Sequence, residues 1–182
     1  NGKHLASRAD DKSICIWNLA PWKGAVSRKF GQPKYDISDI TFSPDTRKTA
    51  VLYHQEYSDI NLIKIFDTRS GREEQTIAEK NADRYYSIAL SADGSQVAAV
   101  SPRNVLNWDA RDGRLRESLV YSPLGDNGIE DYIDVLEFSP DGTQIMFKRG
   151  LRACLWNTKN DTFSYVPKSG TFQYGMGGSY GG

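Results

Sequence analysis

The feature that most constrains this 182-residue chain is one turn written three times at one spacing. Phe42-Ser43-Pro44-Asp45, Leu90-Ser91-Ala92-Asp93-Gly94 and Phe138-Ser139-Pro140-Asp141-Gly142 stand 48 and 48 residues apart. Proline cannot donate to a β-ladder, and Asp-Gly readily supplies the positive φ of a tight reversal, so each copy predicts a hairpin. A second landmark follows at the same pace: Ile16-Trp17-Asn18, Ile65-Phe66-Asp67, Asn107-Trp108-Asp109 and Leu155-Trp156-Asn157, separated by 49, 42 and 48 residues. The segment 132–166 spells out one whole unit, four β-rich runs broken by Ser139-Pro140-Asp141-Gly142, Gly150 and Asn160-Asp161. That unit is an antiparallel meander.

Self-similarity at this period, with about four strands per unit, predicts an all-β chain of β-propeller blades, each a four-stranded antiparallel sheet. The expected strands are 3–9, 13–19 and 25–30 in the first copy, and 37–42, 48–54, 61–67 and 73–77 in the second. In the third they are 85–91, 95–100, 104–109 and 114–120. The blades then occupy 1–30 (partial), 37–77, 85–120 and 132–166, and 167–182 is a Gly-rich tail expected to be flexible. No segment predicts a helix; 73–81 is too short and falls where a blade needs its outer strand. The first copy starts at Asn1-Gly2 and so lacks its innermost strand. A piece of a larger propeller is the favoured reading. A four-bladed ring in which Thr171-Phe172-Gln173-Tyr174 supplies the missing strand is the alternative.

The stretch 1–18, with Asn1-Gly2, a small-residue strand, Asp10-Asp11 and Ile16-Trp17-Asn18, resembles the second half of a WD-repeat blade, and the literal Trp-Asp pair stands at Trp108-Asp109. The resemblance covers 1–166. In that family a His, a Ser or Thr, a turn Asp and the Trp often form a hydrogen-bonded tetrad. Here no blade has the Gly-His pair, Phe66 replaces one Trp, and Pro102-Arg103-Asn104 and Arg149-Gly150 stand where two turn acids would be. Only Asp10 or Asp11, and Asp59, are placed to fill that role. Stability is therefore expected from apolar packing between blades rather than from tetrads.

Charge and motifs exclude most other classes. With 23 basic and 23 acidic side chains there is no field to steer nucleic acid or an anionic membrane, and the two signs are interleaved. No apolar run reaches the roughly 20 residues of a membrane span. Cys15 and Cys154 each lie two residues before a Trp, so their spacing reflects repetition, not metal ligation or a disulfide framework. Free thiols and the lack of a signal-peptide layout favour a cytoplasmic setting. His4 and His54 have no partner at ligand spacing. The acidic connector with Asp126, Glu130, Asp131 and Asp134 lacks the alternating ligands of a calcium loop and reads as a solvated linker. Gly177-Gly178-Ser179-Tyr180-Gly181 matches a nucleophile-elbow pattern, but no strand, helix, acid or His surrounds it as that chemistry requires. No catalytic residue, cofactor or metal is expected.

What remains is surface. Connectors between blades and turns between second and third strands share one face, pooling 31–36, 55–60, 78–84, 101–104, 121–131 and 148–151. Exposed aromatics and arginines dominate binding hot spots, so Tyr35, Tyr57, Arg84, Arg103, Tyr121 and Arg149 are the candidate contact residues. The resemblance implies a non-catalytic scaffold for a protein or peptide partner, similar to the WD arrays attached to NACHT-type signalling ATPases. A gating propeller of a prolyl-peptidase-type hydrolase is the alternative, and a fragment that self-associates through unpaired blade edges is a third.

Overall fold

The computed structural model describes residues 4–19, 28–31, 35–54, 60–80, 83–120, 133–149, 152–166 and 173–175. They form four antiparallel sheets and no helix. The first holds β1 (His4–Arg8), β2 (Ser13–Asn18) and β3 (Arg28–Gly31). The second holds β4 (Asp36–Phe42), β5 (Lys48–His54), β6 (Ile60–Asp67) and β7 (Glu73–Lys80). The third holds β8 (Ser87–Leu90), β9 (Gln96–Val100), β10 (Asn104–Asp109) and β11 (Leu115–Val120). The fourth holds β12 (Ile133–Phe138), β13 (Gln144–Arg149), β14 (Arg152–Asn157), β15 (Thr162–Val166) and β16 (Gln173–Gly175). Every pairing joins strands adjacent in sequence, so each sheet is a meander. The strand boundaries expected from the turns hold to within a few residues. The tail differs: 173–175 adds a fifth strand outside β15, where flexibility was expected, and it does not sit beside β1.

The repeated turn has one internal design. Ser43, Ser91 and Ser139 each donate a hydroxyl to the Asp two residues on, at 2.6, 2.8 and 2.6 Å. The same oxygens accept the N–H of Lys48, Gln96 and Gln144 at 3.0, 3.0 and 2.9 Å, closing the hairpin. The residue after the Asp sits at positive φ: Gly94 at 66°, Gly142 at 68° and, in the second sheet, Thr46 at 62°. A β-branched residue is strained there, at a cost of about 1–2 kcal/mol. Thr46→Gly is expected to raise Tm by roughly 2–4 °C; a thermal melt that shows a fall contradicts this account of the turn.

These bonds hold two carboxyls far below their ordinary value. The Ser95 N–H and the Ser91 hydroxyl bring Asp93 to about 2, and the Ser139 hydroxyl with the Thr143 N–H brings Asp141 to about 2. A carboxyl depressed by folding stabilises fully above its unfolded value, 3.8, and loses that contribution as pH falls through the folded one. Tm is therefore expected to drop between about pH 4 and pH 2, and less steeply in Ser91→Ala. A Tm that rises on acidification through this window would contradict it.

The core lies between sheets, and strand alternation assigns each side chain to one gap. In β5, Val51 and Tyr53 join Ile14 and Ile16 of the first sheet, whereas Ala50 and Leu52 join Ile88, Leu90, Val97 and Ala99 of the third. In β9 the other parity, Ala98 and Val100, meets Leu136, Ile145, Phe147 and Trp156 of the fourth. Central strands are thus buried on both faces, which is why β5 and β9 read as near-continuous small and β-branched runs. β4 and β12 both lie against β8, so the first strands of successive sheets are neighbours and the sheets fan out from them. A bulge in β4 falls between Ile37 and Asp39. Asp39 accepts from the Ser87 hydroxyl and the Ile88 N–H of β8, both at 2.9 Å, binding the two sheets near their inner edge.

The four landmark positions fare differently. The Trp17 indole donates to Ser7 at 3.0 Å, Phe66 carries no side-chain N–H to satisfy, and the Trp156 indole donates to Asp161 at 2.9 Å. The buried Trp108 indole N–H has no acceptor among the described residues. Asp161 takes the left-handed turn position, φ 51°, that Gly71 and Gly113 take in the second and third sheets. The acid that serves Trp156 therefore lies in the turn after the strand, a place the tetrad pattern did not point to. Neither cysteine is in a disulfide; Cys154 is buried and Cys15 half-buried.

Candidate interaction surface

The ends of β5, β7 and β9 and the starts of β4, β6 and β10 share one edge of the stack, and the loops leaving them form its connector face. Of the six candidate contacts, Tyr57 and Tyr121 lie outside the described residues, and for Arg149 only the backbone, at the end of β13, is described. Tyr35 is half-buried, its ring 6.2 Å from that of Tyr53 at 59°, packed against the core between the first and second sheets. It is more a packing residue than a free anchor. Arg84 and Arg103 are both exposed, and the structure brings their loops together. Arg103 Nε lies 3.7 Å from Asp83, the residue before Arg84.

Both loops are held from beneath. Asn61, 4% exposed, is the polar residue in the apolar run Ile60-Asn61-Leu62-Ile63. Its Nδ2 donates to the Asp83 carbonyl at 3.0 Å, and its Oδ1 accepts the Tyr85 N–H at 3.0 Å. Arg84 is thus clamped on either side by one side chain from the neighbouring sheet. Tyr86 follows, 42% exposed, its N–H donating to the Val100 carbonyl at 2.9 Å. In the other loop the Ser101 hydroxyl oxygen accepts from the Arg103 N–H at 3.3 Å and the Asn104 N–H at 3.0 Å. Two guanidinium groups and a phenol are therefore presented on backbone that is fixed before any partner arrives, which lowers the ordering cost of binding. The sequence singles out Arg84 and Arg103 as candidates and does not single out Asn61 or Tyr86. The isolated Asn in an apolar strand and the Tyr85-Tyr86 pair were the available signals.

Burial, with Glu79 and Asp83 nearby, pushes the Tyr85 phenol above its ordinary value, and burial with Glu73 pushes Tyr53 up to about 12. Both stay neutral near pH 7. Toward the opposite edge of the second sheet, burial raises the Glu73 carboxyl less than the Lys64 and Thr76 hydrogen bonds lower it, so Glu73 is an anion paired with Lys64 at 2.7 Å. Among the described residues no cluster of three or more His, Cys, Asp or Glu is arranged to hold a metal ion. No helix among them is long and apolar enough to cross a membrane.

No family model matches the chain, and no curated protein matches it. Among solved structures 679 chains match, so the stack is a widely used arrangement. The crystal structure of Kluyvelomyces marxianus Hsv2 aligns with a TM-score of 0.61 at 12% identity, over 86% of this chain and 47% of that one. The chain thus spans about half the length of that structure. An identity of 12% speaks to the fold and to nothing more specific. The architecture of this chain is that of a β-propeller, its four sheets being consecutive blades.

Proposed function

We propose that the chain is a non-catalytic β-propeller platform of the WD-repeat type, which binds a protein or peptide partner through its connector face. The observation that carries this is the pair Arg84 and Arg103, exposed on two loops that Asn61 and Ser101 hold in place. Arginine pairs carboxylates bidentately, so an acidic peptide flanked by an apolar residue for Tyr86 is the complementary partner. Rigid blades set the spacing of the anchors, and a few desolvated contacts supply the affinity. No cofactor takes part. A sensor array of a NACHT-type signalling protein, working in the cytoplasm, is the finer form of this reading. Self-association through the end blades is a further mode of contact, because the first and fourth sheets each bury only one face in the described residues.

The test places a photo-crosslinking amino acid at position 86 and, as the control, at position 69 in the turn between β6 and β7, on the opposite face. The reading expects a defined partner captured from position 86 alone. Arg84→Glu with Arg103→Glu should weaken binding of that purified partner by at least tenfold without lowering Tm. Capture from both positions alike, or indifference to the double reversal, would sink it.

A further inference from the structure

Every gap between blades repeats one contact. In the first gap Ala6 and Ile16, opposite each other in β1 and β2, share a cluster with Phe66. In the second, Ala50 and Ile65, opposite each other in β5 and β6, share one with Trp108, and in the third Ala98 shares one with Trp156. The landmark aromatic of each blade thus sits on the residue pair that lies just before the landmark of the preceding blade. The fourth blade carries such a pair with nothing seated on it. Met146 and Leu155 face each other across β13 and β14 and are half-buried, with Ala153 and the exposed Val166 beside them on the same face. Glu137 and Lys148 flank this patch with opposite charges.

The first blade carries the complementary half. Trp17 is half-buried, whereas Phe66, Trp108 and Trp156 are buried. Leu5, opposite Trp17, is 53% exposed, while Thr49, Val97 and Ile145, opposite the other three aromatics, are fully buried. Leu5, Ser7, Cys15 and Trp17 share this face, and none is charged. The three clusters join the first sheet to the second, the second to the third and the third to the fourth, and none joins the fourth to the first.

We propose that two copies of this chain close one ring, the fourth blade of each receiving Trp17 and Leu5 of the other on Met146, Ala153 and Leu155. The contact continues the interface already made three times within the chain. It joins unlike faces head to tail, so it closes when two fans complete the turn and otherwise grows into a filament. Two copies have the length that closure needs, since one aligns with 47% of a propeller chain. The ring gives definite geometry to the self-association described above. Both connector faces then point to the same side, so a partner with two acidic segments engages Arg84 and Arg103 of both copies at once. That consequence rests on the connector-face reading, whereas the ring itself does not.

Light scattering coupled to size exclusion, on the full chain across a dilution series, should give twice the chain mass of 20.4 kDa. Leu5→Arg and Leu155→Arg each damage both contacts of the ring and should raise its dissociation constant at least tenfold. Mixed in equal amounts they leave one contact intact, Leu5 of one chain on Leu155 of the other, and should form dimers at a concentration where neither associates alone. Should either variant lose the parental circular-dichroism spectrum, Ala153→Cys is the second measure. Cys15 stands two residues before Trp17 as Cys154 does before Trp156, and Cys154 clusters with Val105, the counterpart of Ala153. Mild oxidation should therefore link Cys15 of one copy to position 153 of the other. A monomeric parent, a mass that climbs past the dimer with concentration, a mixture no larger than its components or an unlinked Ala153→Cys chain overturns the proposal. Arg84→Glu with Arg103→Glu should leave the mass unchanged, so a monomer sinks the ring and spares the connector-face reading.

Discussion

Trp108→Ala is expected to be the most destabilising single substitution in the chain, by about 3–5 kcal/mol. Trp108 is 1% exposed and lies in the gap between the second and third blades, with Ile65, Ile77, Val97 and Ala110 in the same cluster. The Tyr85 ring meets it edge-on at 5.8 Å. Removing the indole opens a cavity that two sheets, each fixed by its own ladder, cannot collapse to fill. Its unpartnered N–H sharpens the prediction. Trp108→Phe forfeits no hydrogen bond, whereas Trp156→Phe leaves Asp161 without its donor. The first should therefore be the milder of the two. Urea titrations of the three variants test this, and a loss under about 1 kcal/mol in Trp108→Ala would mean that the blades do not share a core there.

Asn61→Ala is the second large effect, expected at about 2–3 kcal/mol because it strands two backbone groups. The Tyr85 N–H and the Asp83 carbonyl both lose their partner, in a buried setting that water reaches poorly. The consequence extends to function, since Arg84 sits between those two groups. Binding of a connector-face partner should weaken in Asn61→Ala even though the substituted side chain is hidden. Asn61→Asp keeps the acceptor for Tyr85 but sets a buried carboxylate oxygen against the Asp83 carbonyl, so near neutral pH it should be at least as destabilising as the alanine variant. Equal stability of all three by denaturant titration would refute the clamp.

These two residues mark the limit of what the chain discloses by inspection. Ser-Pro-Asp-Gly and its variants act within about five residues, through hydroxyl and carboxylate bonds that the residue types specify, so hairpins and strand bounds were legible. β5 and β9 were legible as strands for the same reason, each being opened by such a turn. Which blade each face meets was not, because Asp39 finds Ser87 and Ile88 across 48 and 49 positions and no local pattern marks that pairing. Asn61 looked like an interruption of an apolar strand, and its partners lie more than 20 residues downstream. Tyr35 looked like a loop aromatic, yet its ring finds Tyr53. The β16 strand was legible only in part: Thr171-Phe172-Gln173-Tyr174 stands out as a strand candidate in a Gly-rich run, but no local pattern says that it pairs with β15 rather than completing the first blade.

Amide exchange by mass spectrometry or NMR at neutral pH tests most directly the claim that interlocked blades hold the connector loops rigid. The N–H groups of Tyr85 and Ile88 lie outside or at the edge of strand ladders, but each is bonded to a side chain of the neighbouring blade. The account predicts that both exchange as slowly as β5 and β9, only when the whole stack opens. Exchange at Tyr85 and Ile88 near the free-peptide rate, while β5 and β9 stay protected, would contradict it: the blades would then be folded but the loops loose.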